Sequence, residues 1–164
     1  MARCLIIGCG CRGQSLAREL RGAGHAVRGT TRSSGRAAEI EAAGAEPFIG
    51  DPDVIATIAP SFDHASIACV LLGSAQGPAD AIAALHGTRL EMLLARMLDT
   101  TIRGIAYEVA GSVASDVLEA GGRIVADVCS DSRIPFELLD RDPADGPGWL
   151  EAAVGAVSRL LDAP

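Results

Sequence analysis

The chain alternates short, wholly apolar runs with longer stretches in which apolar residues recur every three or four positions. Runs of the first kind suit strands buried on both faces, and the second kind suits amphipathic helices. Arg3 to Ile7 reads as a first strand, and Gln14 to Arg21 begins a helix with Leu16, Ala17 and Leu20 on one face. Gly24 ends that helix, and Ala26 to Gly29 forms a short second strand. Arg36 to Ala43 is a helix that stops at Gly44, and Ala45 to Ile49 is a third strand. Beyond Asp51-Pro52, a brief helix leads to a fourth strand over Ser66 to Leu72. Ala79 to Leu98 is helical with an interruption near Gly87, and its Leu90, Leu93, Leu94, Met97 and Leu98 share one face. Ile102 to Val109 is a fifth strand, followed by helices broken at Gly121-Gly122. Pro135 to Leu139 is a sixth strand. After a Pro- and Gly-rich loop over Asp142 to Gly148, Trp149 to Leu161 is the closing helix. Strands and helices in strict alternation predict an α/β fold: a doubly wound parallel sheet of about six strands, forming a single three-layer domain over residues 1–164.

Composition narrows what such a domain can do. With 164 residues and 49% hydrophobic content, one unit can bury a full core. No stretch reaches the roughly 18 uncharged apolar residues of a membrane helix, so no membrane partner is expected. The opening apolar run is cut by glycines and lacks a cleavage site, which predicts a strand and not a secretory signal. A net charge of −7 repels phosphate backbones, and no basic groove is evident, so nucleic acid is not an expected partner. All 14 basic residues are Arg, which rules out lysine chemistry within the chain. Five cysteines, an odd number, suit a reducing cytoplasm better than a disulfide framework. Cys9 and Cys11 form a C-x-C, but His25, His64 and His86 are scattered, so no metal site is predicted.

The most informative string is Gly8-Cys9-Gly10-Cys11-Arg12-Gly13. It follows an apolar strand and opens an amphipathic helix, the setting in which G-x-G-x-x-G marks a dinucleotide site. Such a turn lets the backbone approach a pyrophosphate and aims the positive end of a helix dipole at it. A Rossmann-type sheet holding NAD or NADP is therefore expected. Roughly 20 residues further on, where an NAD site places an acid on the ribose hydroxyls, this chain has Thr30-Thr31-Arg32-Ser33-Ser34. Arg32 offers a planar fork for a 2′-phosphate, with Thr31 and the serines beside it, so NADP is the preferred cofactor. The helix start would also depress the thiol pKa of Cys9 or Cys11 and make either one reactive.

The run from Leu5 to Leu20, with Gly24-His25-Ala26-Val27-Arg28-Gly29-Thr30-Thr31-Arg32 after it, resembles the atypical short-chain dehydrogenase/reductases. Within that superfamily it is most similar to the nucleoside-diphosphate-sugar epimerase-like proteins. The resemblance implies that Asp51 meets the adenine amino group, and that Leu72, Gly73 and Ser74 lie where the chain passes the adenosine. On the residues alone, Asp51 before Pro52 is equally a helix cap. Ile134-Pro135-Phe136 resembles the Ile-Pro-Tyr segment of the negative-transcriptional-regulator-like members.

The catalytic residues of that superfamily are not matched. Its oxidoreductases use a Tyr, a Lys four residues later and a Ser near the end of the fifth strand. Here the sole tyrosine, Tyr107, lies within the fifth strand and Gly111 stands four residues after it. Val109 or Ala110 fills the serine position, with Ser112 a shifted alternative. The family's large C-terminal substrate region is also absent from the chain as read. Tyr107 and Glu108 remain candidates because they sit near the carboxyl end of a central strand, where a buried Glu108 would carry a raised pKa. Each could equally be a loop-holding hydrogen-bond partner. Two functions follow as expectations. The first is a cofactor-binding protein with a degenerate active site, acting as a redox-state sensor or a module regulated by a protein partner. The second is a minimal NADP-dependent oxidoreductase for a small carbonyl or quinone substrate. The stripe from Leu90 to Leu98 is expected to serve the core first, and a homodimer is expected in which it extends into a helix-on-helix contact.

Overall fold

A computed structural model describes residues 1–164. Six strands form one parallel sheet: β1 (Arg3–Ile7), β2 (Ala26–Thr31), β3 (Glu46–Ile49), β4 (Ile67–Val70), β5 (Gly104–Glu108) and β6 (Phe136–Leu139). Their spatial order is β3-β2-β1-β4-β5-β6, so the direction of winding reverses between β1 and β4. The helices are α1 (Cys11–Gly22), α2 (Ala37–Ala42), α3 (Ile55–Ile58), α4 (Ala79–Leu85), α5 (Thr88–Leu98), α6 (Ser115–Asp131) and α7 (Gly146–Asp162). This is the expected doubly wound arrangement.

Alternation along the strands divides the core into two layers. Cys4 and Ile6 of β1 point to one face, where they pack with Leu16 and Leu20 of α1, Ile40 of α2 and Val157 and Leu160 of α7. Leu5 and Ile7 point to the other face, against Ile58 of α3, Leu93 and Leu94 of α5 and Val125 of α6. Because both faces are covered, the central strands carry no polar alternation, which is why they read as continuous apolar runs. No helix is long and apolar enough to cross a membrane.

Several boundaries differ from the expectation. Helix α1 starts at Cys11, so the last three residues of the glycine string form its first turn. Strand β2 continues to Thr31, carrying that residue to the carboxyl edge of the sheet. Helix α7 takes Gly146 to Gly148 out of the expected loop, with Pro147 in its first turn, where proline is tolerated. The interruption near Gly87 is real and separates α4 from α5. In α5, Leu90, Leu93, Leu94 and Met97 are buried in the chain's own core, leaving Leu98 partly exposed. The stripe expected to extend into a homodimer contact is thus largely occupied within the monomer.

The expected break at Gly121-Gly122 is a correction, since α6 runs without interruption through both residues. Their glycine character serves packing. A Cβ on Gly121 would overlap the Tyr107 hydroxyl and lie 3.2 Å from the His86 carbonyl oxygen. The missing side chain lets α6 rest directly on β5, and burial outweighs the roughly 1 kcal/mol that each glycine costs a helix. Gly121→Ala should therefore destabilise the fold by about 1–3 kcal/mol in urea unfolding, despite alanine's better helix propensity. An unchanged or raised stability would show that α6 does not rest on Tyr107 at this point.

Candidate functional site

A cleft of about 820 Å³ opens at the carboxyl ends of β1, β2 and β4, at the point where the winding reverses. In sheets of this type the crevice at that point is where ligands bind. The glycine string forms one wall, and its three glycines have three different reasons to be there. Gly8 adopts φ +80°, and a Cβ on it would stand 2.6 Å from the Leu71 carbonyl oxygen. It therefore makes the tight turn out of β1 against β4. A Cβ on Gly13 would lie 3.1 Å from Ile6 Cγ2 and 3.3 Å from Cys9 Sγ, so this residue sets the close approach of α1 to the sheet. Gly10 meets nothing nearer than Arg36 Nη1 at 3.7 Å, and its open side faces the cleft.

Backbone bonds hold the turn in place. The Cys9 amide donates to the Thr30 carbonyl at 2.9 Å, and the Gly8 amide to Thr30 Oγ1 at 3.2 Å. The first bond of α1 runs from the Gln14 amide to the Gly10 carbonyl at 2.8 Å. The amides of Cys11, Arg12 and Gly13 therefore precede the helical ladder, at the cleft wall. No acidic side chain stands in this first turn to oppose an anion.

At the end of β2, Thr31, Arg32 and Ser33 line the cleft. The Thr31 hydroxyl accepts from the Ser33 amide at 3.2 Å, and Ser33 Oγ accepts from the Gly35 amide at 3.3 Å. Both side chains thereby shape the single helical turn at Ser34–Arg36 that carries a second arginine, Arg36, into the cleft wall. Arg36 was not foreseen; its position four residues after Arg32 was the only signal. Past β3, Gly50, Pro52 and Asp53 line the cleft, and Asp51 does not. The Asp51 carboxylate accepts from the Asp53 amide at 2.9 Å in a local turn; it is not a helix cap, because α3 starts after Val54 and has no side-chain cap. Leu72 and Ser74 line the cleft, whereas Gly73 turns its amide away toward Glu108.

Glu108 is fully buried at the end of β5. It accepts from Arg12 Nη2 at 2.7 Å and Nε at 3.3 Å, from the Gly73 amide at 2.9 Å and from Trp149 Nε1 at 3.0 Å. The Arg12 guanidinium also lies over the Trp149 ring, 5.5 Å from its centroid. With both carboxylate oxygens so engaged, Glu108 joins three segments and has no free lone-pair direction for a substrate proton. Trp149 carried one signal in the sequence, as the chain's single tryptophan directly after a Pro-Gly loop.

Tyr107 and His86 form a second buried pair. His86 Nε2 faces the Leu72 carbonyl at 3.0 Å and must donate to it, so Nδ1 accepts from the Tyr107 hydroxyl. Burial lowers the His86 pKa, and the Leu72 hydrogen bond opposes that only in part. Burial, reinforced by the Glu108 charge, pushes the Tyr107 phenol up. Tyr107 is sealed from the cleft and acts as a packing and hydrogen-bonding residue. Ser112 is exposed on the loop after β5, with its amide donating to Ser74 Oγ at 3.3 Å. The expectation for Cys9 is reversed: it is buried between α1 and β2, and burial pushes its thiol up to about 12. Cys11 is exposed.

Neither a protein-family model nor a curated protein sequence matches the chain. The fold has many counterparts among solved structures. A short-chain dehydrogenase/reductase superfamily protein from Agrobacterium tumefaciens, with bound NAD, superposes with a TM-score of 0.67 at 15% identity, over 83% of this chain and 48% of that one. Citrobacter sp. triphenylmethane reductase, complexed with NADP(H), gives 0.66 at 15% identity, over 85% and 49%. A protein assigned to the NAD-dependent epimerase/dehydratases from Bacillus halodurans gives 0.71 at 16% identity, over 84% and 69%. The chain thus shares the fold of these proteins, and it spans about half the length of the first two.

The Arg12–Glu108 pair carries a stability consequence. Arg12→Met leaves a carboxylate buried without its counter-charge and should cost about 3–5 kcal/mol in chemical denaturation. Adding Glu108→Gln to that variant should restore part of the loss by removing the charge. A double variant as unstable as the sum of the two single ones would show that the pair is not coupled.

Proposed function

We propose that the chain binds a nicotinamide dinucleotide, NADP in preference to NAD, across the glycine turn, and that it carries no hydride-transfer machinery of the Tyr-Lys kind. The observation that carries this reading is the division of labour among Gly8, Gly10 and Gly13. Two are required by the fold, and the third leaves an uncovered backbone facing the cleft. A side chain would be tolerated there by the protein alone, so its absence is explained by a ligand that must lie against the turn. The fold neighbours with bound NAD and NADP(H) support the same ligand class.

In this reading the amides of Cys11, Arg12 and Gly13 hold the pyrophosphate at the start of α1. Arg32 and Arg36 flank the 2′-phosphate, and neither is engaged in an ion pair within the chain. The nicotinamide would supply hydride chemistry in any reductase. This chain has no lysine, and the Tyr107 hydroxyl is bonded to His86 inside the core. That combination favours a regulatory or partner-controlled binding module over an oxidoreductase.

Gly10→Val should abolish dinucleotide binding in calorimetric titration while leaving the unfolding midpoint close to that of the parent, because within the protein that side chain meets only the flexible end of Arg36. Unchanged affinity in the folded variant would remove the reading.

Arg32→Ala should weaken NADP binding about tenfold to a hundredfold, the worth of a charge-assisted hydrogen bond, with little effect on NAD. Combining it with Arg36→Ala should erase the preference. A parent protein that favours NAD would contradict the assignment of these arginines to a 2′-phosphate.

A further inference from the structure

In a doubly wound sheet, each half takes one mononucleotide of a dinucleotide. The two halves of this protein are not equally open. The lining of the cleft begins at Gly8 and ends at Leu85, and no residue of β5, α6, β6 or α7 reaches it. On the β2 side the wall is polar and cationic, with Arg32, Ser33 and Arg36 at the cleft and Asp53 nearby on the β3 side.

Beyond Arg12, the corresponding space on the β5 side is filled by the protein. The Arg12 side chain crosses from the glycine turn to Glu108 and lies over Trp149. The loops that follow β4 and β5 are closed on each other. The Val113 amide donates to the Gly73 carbonyl at 3.0 Å, and the Ser112 amide to Ser74 Oγ at 3.3 Å. A Cβ on Gly73 would overlap the Ala110 carbonyl oxygen, so the two backbones are in direct contact. Two donors at this end that could grip a carboxamide are already used. The Gly73 amide and the Trp149 indole N–H both donate to Glu108, and Glu108 has no remaining acceptor direction.

We propose that the cleft reads only the adenosine half of its ligand, as a site for a 2′-phosphorylated ADP moiety, and leaves the nicotinamide end in solvent. This rests on the dinucleotide reading above and specifies which part of the molecule carries the affinity. Its consequence is that the protein does not distinguish NADPH from NADP⁺. The two differ only in the ring, and a group that makes no differential contact contributes no differential affinity. The protein would then respond to the total amount of 2′-phosphorylated adenine nucleotide and not to its redox state, which departs from the redox-sensing role expected of a degenerate dehydrogenase.

Calorimetric titration of the full chain with NADP⁺, NADPH, 2′-phospho-ADP-ribose and nicotinamide mononucleotide tests this directly. The first three are expected to bind with dissociation constants within about threefold of one another, and the mononucleotide to give no binding heat. A spread wider than that in favour of either dinucleotide over 2′-phospho-ADP-ribose, or measurable binding of the mononucleotide, overturns the inference and leaves the dinucleotide reading standing. If none of the three 2′-phosphorylated ligands binds, both fall together.

Discussion

A charged carboxylate with no solvent contact has to be compensated by its surroundings, and the carboxyl edge of this sheet is organised around that requirement at Glu108. An isolated ion in such a place would cost several kcal/mol. Here four hydrogen bonds from Arg12, Gly73 and Trp149 converge on the two oxygens. The donors come from the first turn of α1, the loop after β4 and the first turn of α7. One side chain therefore ties the start of the fold to its last helix across the point where the winding reverses. It also fixes the Arg12 side chain, and with it the boundary of the cleft.

The other half of the edge is left open by the same arrangement. Gly8 and Gly13 are consumed in seating the turn against β4 and in bringing α1 onto β1 and β2, while Gly10 keeps a bare backbone toward the cleft. Two arginines outside any ion pair line that side, Arg32 directly after β2 and Arg36 in the helical turn that follows. Arg12 is cationic but already neutralised. The asymmetry of charge thus follows the asymmetry of space, and the adenosine-side proposal rests on both.

A second polar pair lies behind the cleft, where His86 and Tyr107 satisfy each other in the layer between the sheet and α6. Its geometry requires a neutral imidazole, consistent with the lowering of the His86 pKa by burial. It also requires that α6 carry no side chain at Gly121. A tyrosine on the fifth strand is thereby removed from any contact with a ligand, so its presence in the sequence says nothing about catalysis.

Element type and order were legible in the sequence because they depend on local periodicity. Continuous apolar runs such as Ile67–Val70 are dictated by burial on both faces, and the stripe in α5 by one-sided burial. The glycine string was equally legible, since a strand before it and a helix after it are local features. What the sequence could not decide were matters of distance. Gly121-Gly122 has the composition of a break and is a contact surface, because the hydroxyl that needs the room belongs to a residue 14 positions earlier. Glu108 has the composition of a poised acid and is an anchored ion, because its counter-charge lies 96 residues away along the chain. Cys9 stands beside a helix start yet is buried, since the side chain points between α1 and β2 and not along the helix axis. Local pattern was enough to specify the sheet, its double winding and the glycine turn at the cleft. Only the tertiary structure decided which half of the crevice stays open, because that depends on which buried charges and amides are left to pair with each other.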